Sequence, residues 1–107
     1  METLKDEFKR AMHDIYRDAK EQANYTATIF LRMLDERGPM ETALYLVNSP
    51  TPSDGYTALW ERKRLDLTVE AVIIDNPKFH CLFDVETLKN ARRRLKQYNY
   101  KFKQPDA

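Results

Sequence analysis

Glycine is almost missing from this chain, with two, Gly38 and Gly55, in 107 residues. An all-β fold draws on glycine for its many tight turns, so this scarcity argues against one. Cys81 is the lone cysteine. It cannot close an internal disulfide, and it points to a reducing compartment, the cytoplasm. No apolar run approaches the about 18 residues of a membrane span. The N-terminal METLKDEFKR is charged and lacks the apolar core of a signal peptide. Two histidines and one cysteine fall short of the roughly four convergent ligands of a zinc site. His80 and Cys81 are adjacent and would point apart on a regular element, while His13 lies beside an apolar face. No metal or cofactor is therefore expected. A glycine-rich phosphate loop, a nucleophile elbow and an H-E-x-x-H pattern are also lacking.

Charge is abundant, at 33% of residues, and it is unevenly placed. Residues 88–107 carry seven cations against Asp106 alone, a net +6. The whole chain is +1, which leaves −5 on residues 1–87. A basic end on an acidic body can hold an anion, or it can hold the body of a second copy. The length suits a single domain spanning residues 1–107, burying roughly two-thirds of its unfolded surface.

Helical periodicity runs through the chain. Leu4, Phe8, Ala11, Met12, Ile15, Tyr16, Ala19 and Ala23 recur at three- and four-residue steps and predict an amphipathic helix over about residues 2–22. Asn24-Tyr25-Thr26 offers caps for a second helix with Ile29, Phe30, Met33 and Leu34 inward. Gly38 can close that helix in a left-handed conformation, and Pro39 suits the first turn of a third. Met40, Ala43, Leu44 and Val47 form the third helix's inner face, and Asn48-Ser49-Pro50-Thr51-Pro52 stops it. Ser53 or Asp54 caps a helix carrying Tyr56, Leu59 and Trp60. Asp66 caps another over 67–74, where a run of β-branched residues leaves a buried strand as the alternative. Asp84 caps the last helix, stapled by Phe83 and Leu88, with Val85, Leu88, Ala91, Leu95 and Tyr98 inward. The expected fold is all-α, a compact orthogonal bundle of about six helices.

Four places can carry chemistry. Asp54, Glu61, Asp66 and Glu70 could do acid–base work if two helices fold back on one another; caps and ion pairs are the structural alternative. Trp60 and Arg64, at i,i+4, can place a guanidinium over an indole; the expectation is a buried core tryptophan with its edge covered by Arg64, and a ligand platform is the alternative. Phe79, Cys81 or Leu82, and Phe83 read as a hydrophobic hook into the core. Residues 89–103, KNARRRLKQYNYKFK, interleave cations with Tyr98, Tyr100 and Phe102. There Lys89, Arg92, Arg93 and Lys96 face outward, with Arg94 at the flank; they can meet phosphates, an acidic protein, or only solvent.

The stretch SDGYTALWERKRLDLTVEAVII, followed by LF and ARRRLKQYNY, resembles a family of small uncharacterised bacterial proteins. DIYRDAKEQANYTATIFLRML and ETALYLVNSP are similar to it too, so the likeness covers almost the whole chain. Gly38-Pro39 stands where that family has Gly-Gly, and Asn99 where it has glycine. The resemblance implies a bacterial, cytoplasmic protein and brings no activity or catalytic residue. The reading is a non-enzymatic binding module for a protein partner or a second copy. Lys89, Arg92, Arg93, Lys96 and Arg64 are its candidate contacts. Nucleic-acid binding through the basic helix, and an enzyme built on the carboxylates near Trp60, are the alternatives.

Overall fold

A computed structural model describes residues 2–103. Its elements are α1 (Leu4–Ala23), α2 (Thr28–Asn48), α3 (Asp54–Glu61), a 3-10 segment at Leu65–Leu67, α4 (Val69–Ile74), a second 3-10 segment at Pro77–Leu82, and α5 (Val85–Gln97). The described residues contain no strand, and the fold is an all-α bundle. Because α2 is two helices merged across a kink at Gly38, the helical segments match the six that periodicity predicts.

Local chemistry sets most of the helix ends. The Thr3 hydroxyl accepts from the Asp6 N–H, and the Asp6 carboxylate accepts from the Thr3 N–H, a reciprocal capping box. Ser53 caps α3 and Asp84 caps α5 by accepting from the third N–H of each helix. Two expectations need correction. Asn24 does not start the second helix; at φ 52° it closes α1, and Ala27 opens α2 with no side-chain cap. Asp66 does not cap α4. Thr68 does, because its backbone is extended and its Oγ1 accepts from the Ala71 N–H at 3.2 Å.

The two glycines serve different ends. Gly38 has φ +82° and open space where a Cβ would go, so its need is conformational. Gly55 has ordinary backbone, and a Cβ there would meet the Tyr25 hydroxyl at 3.7 Å, a normal contact. Gly38→Ala is therefore expected to destabilise by about 1 kcal/mol or more. Gly55→Ala is expected to be neutral or to stabilise by up to about 1 kcal/mol. Thermal melts of the two variants check this, and a Gly38→Ala protein as stable as the parent contradicts it.

The run over 67–74 forms no strand: a 3-10 segment ends at Leu67, Thr68 caps, and Val69–Ile74 is α4. Val69, Glu70, Ala71, Ile73 and Ile74 are all buried, and α4 packs against α5, α2 and α1 together. A helix enclosed on all sides can be apolar all round, which is why the run shows no strict alternation. Around it the core comprises Phe8, Met12, Val47, Ile73 and Leu95 among the most deeply buried side chains. The expected hook is present. Phe79 and Phe83 meet Phe8 edge-on, with ring centroids 5.2 and 5.4 Å away, while Cys81 is exposed. Ala19, Leu59 and Leu67 form a smaller second cluster.

Two residues expected inside are outside: Ile29 is 66% exposed and Val85 is 81% exposed. Both sit in the first turn of their helices, ahead of the stretch that meets the core. Beyond α5, Tyr100 and Phe102 pack back on the core. The Tyr100 hydroxyl and the Lys103 N–H both donate to the Asp75 carboxylate.

Candidate functional site

The helices α3 and α5 end side by side in the same way. Each passes into one left-handed residue, Lys63 or Asn99, both at φ 60°. The next N–H then reaches back to a carbonyl of the last turn: Arg64 to Leu59 at 2.8 Å and Tyr100 to Leu95 at 3.0 Å. These reversals place Tyr98 between Tyr56 and Trp60, edge-on to both at 5.2 and 5.4 Å. Tyr56 is buried below it, and Trp60 is 46% exposed above it. A shallow groove of about 340 Å³ results, lined by Trp60, Tyr98 and Tyr100 together with Lys63, Lys101 and Asp66.

This corrects the expectation that Trp60 is a core residue. The inner face of the eight-residue α3 is already occupied by Tyr56 and Leu59, and Tyr98 fills the space beside them. Arg64 does not cover the indole either. It lies beyond the end of α3, donates to both oxygens of Asp66 at 3.0 Å, and reaches Gln22 at 2.8 Å. Arg62 takes a comparable role nearby, donating to the Ala23 carbonyl and lying over the Tyr25 ring.

Arg94, expected at the flank of the basic face, is 8% exposed and points inward. Its Nη1 donates to the Glu70 carboxylate and to the Leu46 carbonyl, each at 3.0 Å. Its Nη2 donates to the Ser49 carbonyl. The sequence explains the need: a continued α2 would satisfy the Leu46 carbonyl with the N–H of residue 50, and residue 50 is Pro50. The guanidinium supplies that missing donor. Burial pushes the Glu70 carboxyl up from its ordinary range, against the opposing pull of its own backbone N–H and of Arg94. Burial likewise pushes up the Tyr56 hydroxyl, which donates to the Arg94 carbonyl at 3.3 Å.

The rest of the basic helix faces out. Lys89, Arg93 and Lys96 are exposed as expected, but Arg92, expected outward, is half-buried with its Nε enclosed. Arg93 donates to Asn90, which donates to Asn48, which donates to Thr87, so α5 is laced to the end of α2.

The four acids near Trp60 are divided. Asp54 and Glu70 both border a cavity of about 310 Å³ between α1, the start of α2, α3 and α4. Asp66 borders the groove, and Glu61 is exposed and borders neither. The His13 ring pairs with the Lys9 carbonyl and the His80 ring with the Ile74 carbonyl. Among the described residues, no group of three or more His, Cys, Asp and Glu side chains is placed to hold a metal ion. No helix among them is long and apolar enough to cross a membrane.

The hydrogen bonds from Arg64 hold the Asp66 carboxyl below its ordinary value of 3.8. Folded Asp66 thus binds fewer protons than unfolded Asp66 near that pH, and its contribution is present above 3.8 and lost as pH falls through the lowered folded value. Asp66→Asn is expected to destabilise at neutral pH, and the gap from the parent should close in acid. Urea melts over a pH series check this, and a gap that stays constant with pH contradicts it.

Among the described residues these features define a helical domain with a cationic–aromatic surface groove and a largely apolar cavity. Comparison with protein-family models, with curated proteins and with solved structures gives no match.

Proposed function

We propose that the protein is a non-enzymatic interaction module whose partner is another protein, held through an acidic segment of that partner. The single observation behind this reading is Trp60, half-exposed and edge-on to Tyr98, with Lys63 and Lys101 lining the same groove. Tryptophan, tyrosine and arginine are the residues that dominate binding energy at protein interfaces. The outward cations of α5, Lys89, Arg93 and Lys96, extend the positive field, and the acidic rest of the chain disfavours a long polyanion. Asp54 and Glu70 share a cavity, but Glu70 is committed to Arg94 and Asp66 and Glu61 lie elsewhere, which supports binding over acid–base chemistry. The likeness to a family of small bacterial proteins supports a bacterial, cytoplasmic setting.

One observation favours single-stranded nucleic acid as the second reading: an exposed indole beside lysines is also how such strands are stacked and held. Two variants separate the readings. Trp60→Ala removes an exposed ring, and Arg93→Gln/Lys96→Gln removes two exposed charges; both should leave the fold intact. Affinity capture from the source cell should retain one defined protein on the parent and lose it on both variants. A shift of oligonucleotides at physiological salt that weakens steeply with added salt, and is lost on the charge variant, would overturn the protein reading. Association with a second copy would appear as concentration-dependent sedimentation.

A further inference from the structure

The cavity of about 310 Å³ lies at a seam in the core. On one side are Ile15, Tyr56 and Val69 of the main cluster, and on the other Ala19, Leu59 and Leu67 of the smaller one. The two clusters do not close on each other, because small side chains stand at the seam: Ala19 and Ala27 line it, and so does Gly55. An apolar cavity of about 150 Å³ holds benzene, so this one has room for an aromatic ring with a short chain. Its volume is at the lower end of ordinary small-molecule sites, about 300–1,000 Å³.

The charge of the lining is one-sided. Asp54 and Glu70 border the cavity, and no lysine or arginine does. Glu70 is already answered by Arg94. Asp54 is exposed and has no hydrogen-bond or ion-pair partner among the described residues, which leaves its carboxylate available to a ligand. The uncapped start of α2, at Ala27, also meets this cavity, and alone it would favour an anion. An anion there would share the cavity with Asp54, a full charge against the partial charge of a helix end.

We propose that this cavity is a binding site for a small apolar amine, its hydrocarbon body in the seam and its ammonium on Asp54. It is separate from the Trp60 groove and does not depend on the protein-partner reading. The test uses three probes with the same phenylethyl body on the full chain: 2-phenylethylamine, ethylbenzene and 3-phenylpropionate, followed by calorimetry and thermal shift. The amine is expected to bind saturably and raise the melting temperature, with at least tenfold weaker binding to Asp54→Asn, whose substitution lies on the surface. Ala19→Leu, which fills the seam, should also abolish binding. If that variant fails to fold, Asp54→Asn still decides. No saturable amine binding, equal binding of ethylbenzene, preference for the carboxylate, or an Asp54→Asn protein that binds the amine unchanged would each overturn the proposal.

Discussion

Arg94→Ala is expected to cost about 3–5 kcal/mol, the penalty for removing one member of a buried ion pair. The substitution strands Glu70, 3% exposed, and takes the donor from the Leu46 and Ser49 carbonyls at once. A domain of this size is stable by only about 5–15 kcal/mol, so the variant loses a large share of its stability and, at the low end of that range, stands near its unfolding midpoint. Arg94→Lys should recover little, because one ammonium cannot span a carboxylate and two carbonyls as a fork does. Replacing a buried pair by apolar residues is often harmless. Here Glu70→Met/Arg94→Met should stay destabilised, since each of the two carbonyls left without its donor costs about 1–3 kcal/mol. Urea unfolding of the single and double variants provides the check. A double variant as stable as the parent would mean that the carbonyls find other donors and that the pair is dispensable.

Phe8→Ala should cost a similar amount, about 3–5 kcal/mol, for a different reason. The ring is fully buried, and it is the common edge-on partner of Phe79 and Phe83. Losing it leaves a void and two unpartnered rings, each pair being worth about 0.5–1.5 kcal/mol beyond its burial. The connection from α4 to α5 is held to α1 there, so near-ultraviolet dichroism should fall along with the denaturation midpoint. Phe8→Leu should lose much less. Equal losses for Ala and Leu would indicate strain rather than an empty site.

Several parts of this fold were legible without a structure, because the forces that set them act over a few residues. Asp84 and Ser53 start helices through a hydrogen bond three residues on, and Pro50 ends one by lacking an N–H. Gly38 bends α2 because a positive φ is open to glycine. The spacing of Phe8, Met12, Ile15 and Ala19 marks an inner face whatever lies opposite. Asn99 at φ 60° shows the same logic, since asparagine is among the few residues besides glycine that enter the left-handed region readily.

The site residues were less legible, and Trp60, Arg94 and Glu70 show why. Trp60 is spaced from Tyr56 as a core residue would be, yet Tyr98, thirty-eight positions later, takes the space and turns it outward. Arg94 sits in a run of three arginines that reads as solvated surface. Only the arrival of the end of α2, with two carbonyls lacking donors, and of Glu70 from α4 makes that position an interior one. The run from Leu67 to Ile74 fits a buried helix better than a strand, but the strand stays open until α5, α2 and α1 enclose it. By itself the sequence determined the helix starts, stops and inner faces, since backbone hydrogen bonds and φ preferences are local. The tertiary structure decided which charges and rings are buried, since burial depends on what the rest of the chain places across from them.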